Sequence, residues 1–110
     1  MNELIKNMEK AVPLNLRGLV GYDSGKVASL TLAQQPKVGM TLFAFDGNEE
    51  ISTHTAPGDA FVQILEGQAE ITIAGIVHQM AEGQAIVMPA GIPHSVRAVT
   101  QFKMLLTVVK

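Results

Sequence analysis

From Lys26 onward this chain is cut by turn chemistry at close intervals: Gln35-Pro36, Asp46-Gly47, Pro57-Gly58-Asp59, Glu66-Gly67, Ala74-Gly75, Glu82-Gly83 and Pro89-Ala90-Gly91. The segments between these breaks are short runs of β-formers. They predict strands at about 26–33, 38–45, 60–66, 69–74, 76–80, 85–88, 94–99 and 102–109. Ile71-Thr72-Ile73-Ala74-Gly75-Ile76-Val77 has the form of a tight hairpin about Ala74-Gly75. Several short strands in a chain of 110 residues mean an antiparallel sandwich or a small barrel. That length allows one compact domain, 1–110, with no room for a second.

The segment 60–66 narrows the architecture further. Ala60, Val62 and Ile64 form one face of this strand, and Phe61, Gln63 and Leu65 form the other. Both faces are mostly apolar, so neither suits bulk water. The last strand repeats the pattern, with Phe102, Met104, Leu106 and Val108 on one side and Leu105 and Val109 on the other. Hydrophobic residues make up 47% of the chain and charged residues 16%, against about 25% charged in an ordinary soluble domain. Such a surplus predicts that part of the exterior is an interface, and we expect a homodimer. Ahead of the strands, Leu4, Ile5 and Met8 recur at helical spacing among Glu and Lys. This predicts a short helix over 3–11 that Pro13 ends, within an N-terminal arm of residues 1–18.

Several classes of function are excluded. Eight basic and 10 acidic residues give a net charge of −2 with no basic run, which argues against nucleic-acid binding. With no cysteine, disulfides, thiolate metal sites and cysteine nucleophiles fall together. The first residues carry charge and lack an apolar signal core. The longest uncharged stretch, Gln84 to Val96, is broken by Pro89 and Pro93 and is too short to span a bilayer. The expectation is a cytoplasmic protein with no membrane partner.

The chemistry gathers on two of the three histidines, His54 and His94. Gly83, Pro89, Gly91 and His94 stand at spacings of six, two and three residues. That arrangement resembles the second motif of the cupins, small conserved-barrel proteins of the RmlC-like jelly-roll type. The resemblance covers roughly residues 26–109 and implies an all-β double-stranded β-helix. The asparagine that often follows four residues after the motif histidine is Ala98 here. The first motif is half present. His54 and the closing Gly67 match, but the second histidine position holds Ala56 and the glutamate position holds Ala60. Asn48 stands at the opening glycine position, with Gly47 just before it.

In the cupins, histidines and a glutamate from the first motif join the later histidine to hold a divalent metal. The resemblance therefore implies iron, manganese, nickel or zinc at His54 and His94, with Asp59 a candidate third ligand. By strict alternation Asp59 points away from His54 and Ala60, although Pro57-Gly58 could reset the phase. Two imidazoles would hold a metal weakly, so the metal site reads as degenerate. The alanines leave room for a small-molecule ligand in the barrel, in a pocket of His54, Ala56, Ala60, Val62, Ile64, Met88 and His94. Two alternatives stand beside this reading. One is a metal-dependent oxygenase, isomerase or lyase; the other is a structural dimer whose pocket is vestigial. His78 reads as a strand-edge histidine, the methionines as core filler, and Glu49-Glu50 as a solvated loop.

Overall fold

The computed structural model describes residues 3–110. Nine strands form two antiparallel sheets. They are β1 (Val27–Gln34), β2 (Val38–Phe45), β3 (Glu50–His54), β4 (Asp59–Glu66), β5 (Gln68–Ile73), β6 (Ile76–Ala81), β7 (Ala85–Met88), β8 (His94–Ala98) and β9 (Phe102–Val109). One sheet runs β1-β2-β9-β4-β7 and the other β3-β8-β5-β6, which is the jelly roll. All eight strands expected from turn chemistry are present, and β3 is added to them. Apart from Ile51 its residues are polar and exposed on an edge, so the alternation that marks a half-buried strand is missing.

The inward faces of the two sheets enclose one core. Phe45 and Phe102 stack at its closed part with ring centroids 4.4 Å apart, both fully buried. Ala60, Val62 and Ile64 of β4 point into this core and are essentially inaccessible, whereas Phe61 and Gln63 on the other face are exposed. A second apolar cluster covers the outer face of β1, β2 and β9. There Leu32, Leu42, Ala44 and Leu105 are packed beneath Val20, with Met8, Leu16, Leu19 and Tyr22 alongside. A polar clasp fastens this cover. The Tyr22 hydroxyl donates to Glu66 Oε2 at 2.5 Å, and Lys103 Nζ lies 4.9 Å from the Tyr22 ring centroid. Lys103 also donates to the Arg17 carbonyl at 2.6 Å. Burial, and then the bond and charge of Glu66, push the tyrosine pKa well above its ordinary value.

The N-terminal arm corrects the expected helix. Residues 3–14 form no helix, and a single 3-10 turn at Leu16–Gly18 is the only helical element among the described residues. Asn7 and Ala11 have φ of 61° and 62°, left-handed conformations that a right-handed helix does not contain. A segment this short is marginal as a free helix, and the open edge of β1 offers its backbone better partners. Lys6 N–H donates to the Leu32 carbonyl and Asn7 Nδ2 to the Thr31 carbonyl, each at 2.7 Å. Among the described residues, no helix is long and apolar enough to cross a membrane.

Candidate functional site: a histidine pair in the barrel

His54 ends β3 and His94 begins β8, and the two are direct partners across the sheet. A β-bulge makes this pairing productive. Ile51 pairs with Val96 and His54 with His94, so three steps along β3 match two along β8. Ile51 faces the interior, and strict alternation from it would turn His54 outward. The extra residue resets the phase and aims the imidazole inward.

The turn that presents His94 is fastened to the segment that follows His54. Gly91 N–H donates to the Ala56 carbonyl, and Ala90 N–H donates to Asp59 Oδ1, both at 2.9 Å. Gly91 takes φ of 73°, which favours glycine at this position. Asn48, at the opening glycine position of the first motif, has φ of 68°, a left-handed backbone that asparagine tolerates better than most residues.

The two imidazoles meet edge to face, with ring centroids 4.4 Å apart at 71° and Nε2 atoms 3.2 Å apart. Their other nitrogens settle the tautomers. His54 Nδ1 lies 2.8 Å from the Ser52 carbonyl oxygen and His94 Nδ1 lies 3.2 Å from that of Ile92. A carbonyl oxygen only accepts, so each Nδ1 carries a hydrogen, and when both rings are neutral each Nε2 lone pair faces the other ring. Two lone pairs at this separation repel, and a proton taken up on either Nε2 turns the contact into an N–H···N hydrogen bond. His94 is buried, at 3% exposure, and His54 is open to solvent. Burial, followed by the charge of His54, holds the His94 pKa below the ordinary histidine value, while its bond to Ile92 partly opposes that shift. His94 therefore keeps a free lone pair to lower pH than an exposed histidine would.

A cavity of about 110 Å³ adjoins the pair. Five of the expected pocket residues line it: His54, Ala56, Ala60, Met88 and His94. Val62 and Ile64 lie deeper in the core and do not line it. Phe43, Ile51, Val96, Met104, Leu106 and Val108 complete the wall, and the sequence reading does not assign them to the pocket. Inward alternation along the last strand locates three of them. Asp59 is exposed and spends its carboxylate on the Ala90 N–H, so it holds the turn ahead of His94 and does not line the cavity. His78 lies on edge strand β6, opposite Ile71.

The donor set fits only half of a divalent metal site. The 3.2 Å between the Nε2 atoms matches the spacing of neighbouring ligands around an ion with metal–nitrogen distances of about 2.0–2.1 Å. Iron or manganese also calls for carboxylate oxygen, and the cavity wall supplies none. Among the described residues, no group of three or more His, Asp or Glu converges anywhere. The full metal centre implied by the resemblance does not fit these residues.

Comparison with known proteins agrees with the fold and the motifs. The model of the cupin domain matches residues 41–110. A crystal structure of a conserved protein of unknown function from Streptococcus pyogenes is 49% identical with a TM-score of 0.96, covering 99% of this chain and 96% of that one. A cupin superfamily protein from Desulfitobacterium hafniense is 30% identical with a TM-score of 0.91, covering 96% of each chain. A salicylate 1,2-dioxygenase from Pseudoaminobacter salicylatoxidans shares the fold alone, at 19% identity and a TM-score of 0.72, over 84% of this chain and 27% of that one. No curated protein matches significantly. The matched family model, the jelly-roll topology and the second-motif glycines and proline around His94 agree: the chain belongs to the cupin family.

Proposed function

We propose that this cupin is a binding protein that takes a small electron-poor guest, a hydrogen-bond donor or a cation, in the cavity against the paired Nε2 atoms of His54 and His94. The observation that carries this reading is the convergence of two imidazole Nε2 atoms 3.2 Å apart at the wall of an otherwise apolar cavity. The guest is small. At about 110 Å³ the cavity lies well below the several hundred Å³ of a pocket for a larger metabolite. Ala56 and Ala60 share the wall of this small cavity with the larger side chains of Phe43, Met88 and Met104. The metal-dependent enzyme reading would need oxygen ligands that this wall lacks.

A fragment screen followed by imidazole nitrogen NMR tests the proposal. Bound guests should shift the His54 and His94 Nε2 resonances. Either histidine changed to alanine should weaken binding about tenfold or more, from the loss of a hydrogen bond worth ~1.5 kcal/mol. Guests that bind equally well to both variants would sink the reading.

The proposal extends to a homodimer through the outer face of β4, β7 and β9. Phe61 is 42% exposed beside its strand partner Val87 at 47%, with Val109 nearby at 53%. These apolar side chains are the surplus that the composition predicted would need covering. Sedimentation equilibrium should give twice the chain mass, and Phe61→Glu should halve it. A wild-type monomer at micromolar concentration would contradict the dimer.

A further inference from the structure

We propose that residues 8–24 form a strap that lifts from the folded barrel as one unit, with the Tyr22 hydroxyl as its latch. Backbone bonds set its limits. At one end Lys6 N–H donates to the Leu32 carbonyl on the edge of β1. At the other, Gly25 N–H donates to Asp46 Oδ2 at 2.7 Å, and Asp46 N–H donates to the Lys26 carbonyl at 3.1 Å. Between these anchors, among the described residues, no backbone–backbone hydrogen bond joins the segment to a strand. Its own bonds are local, from Gly18 N–H to the Asn15 carbonyl and from Leu19 N–H to that of Leu16. Left-handed backbone stands near each end, at Ala11 with φ of 62° and at Gly25 with φ of 69°.

Side chains alone hold the strap down. Val20 is its only buried residue, and Met8, Leu16, Leu19 and Tyr22 lie half-buried on the face of Leu42 and Leu105. The polar grip comes from one place. Glu66 and Lys103 are direct partners across β4 and β9, yet both hold the strap: Glu66 accepts from the Tyr22 hydroxyl, and Lys103 donates to the Arg17 carbonyl. The Arg17–Glu82 pair, at 3.8 Å between exposed side chains, adds little. A segment with few buried contacts and no ladder bonds opens at far lower cost than the strands beneath it. Opening leaves no buried charge unpaired, because Glu66 and Lys103 are only half-buried and then face each other and water. It uncovers the apolar face of Leu42, Ala44 and Leu105 that the closed strap hides.

The experiment is native-state proteolysis of the full chain with an arginine-specific protease. The chain supplies its own control, because Arg17 lies in the strap and Arg97 in β8, and no other arginine is present. When opening and closing are fast relative to cleavage, each rate reports how often its segment is open. Cleavage of the wild type at Arg17 should run about a hundredfold or more faster than at Arg97. Low urea should speed the cut at Arg97 steeply and the cut at Arg17 little, since lifting the strap exposes less surface than unfolding the barrel. Tyr22→Phe keeps the ring and removes the latch, and should raise the Arg17 rate about tenfold, the loss of a hydrogen bond to a charged group. Equal rates at Arg17 and Arg97, or an equal urea dependence, would overturn the inference, because the strap would then open only with the barrel. So would an Arg17 rate that Tyr22→Phe leaves unchanged, or a wild-type rate already equal to that of a free peptide of residues 11–24.

Discussion

Gly67→Ala should lower the stability of this chain by about 3 kcal/mol or more, while Gly83→Ala should cost only about 1 kcal/mol. Both glycines adopt left-handed backbone, with φ of 79° and 86°. Each substitution thus carries the strain of an L-residue in that region, about 1–2 kcal/mol. The difference lies in space. Around Gly83 nothing would meet an added Cβ, whereas at Gly67 the Cβ would run into the Gln101 carbonyl oxygen and the Phe102 backbone and Cβ. Backbone yields less readily than a flexible side chain. Phe102 is also fully buried and stacked on Phe45, so the clash would spread into the core. Gly67 joins β4 to β5 and thereby links the two sheets, leaving no free end to absorb the shift. In a domain of this size the loss corresponds to a fall in Tm of very roughly 10–15 °C, against a few degrees for Gly83→Ala. Thermal unfolding of the two variants side by side checks this. Equal effects would show that backbone strain dominates and that the close approach does not matter.

The contrast between those glycines marks where sequence reading reached and where it stopped. The turn residues were legible because glycine, proline and asparagine act locally, and the strands fell into place between them. The second-motif turn and its histidine were legible for the same reason. β3 was hidden because Glu50, Ser52 and Thr53 are exposed and Ile51 is its only apolar residue, so no two-residue apolar period survives. The arm misled in the opposite direction. Leu4, Ile5 and Met8 have helical spacing, yet Leu4 is 70% exposed and the segment bonds to the edge of β1.

The site was half legible. His54 and His94 are 40 residues apart, and only the motif spacing suggested that they share a pocket. The bulge that turns His54 inward has no sequence marker, and alternation alone places that side chain outside. The size of the cavity was also out of reach. Two alanines suggest a wide pocket, but the cavity is small, and Phe43 and Met104 join its wall from β2 and β9, strands that carry no motif residue. Asp59 shows the opposite case. Its outward phase followed from alternation, and the structure shows what the carboxylate does there, holding the Ala90 N–H ahead of His94.

Ala60→Glu should convert a protein whose melting ignores divalent metals into one that depends on them. Ala60 is 2% exposed, faces the cavity and stands across from Met88. A glutamate there places a carboxylate in an apolar wall beside two imidazoles. Without metal, burying that charge should cost about 2–4 kcal/mol, since the histidine pair offsets it only by taking up a proton. With metal, the introduced carboxylate would join His54 and His94 in the two-histidine, one-carboxylate set that suits iron(II), manganese(II) and zinc(II). Binding to the folded state alone at a thousand times Kd contributes ~4 kcal/mol, enough to offset the burial cost. The measurement is thermal unfolding of wild type and Ala60→Glu, each with chelator and with zinc(II) or manganese(II). Wild type should stay within a degree or two. The variant should melt well below wild type in chelator and recover by roughly 10 °C with metal. Adding His94→Ala should abolish the recovery, because one histidine and one carboxylate are too few to hold the ion. A variant that stays low in every metal would mean that the two Nε2 atoms do not converge on the space beside residue 60. The lone-pair geometry behind the proposed binding site would then have to be abandoned.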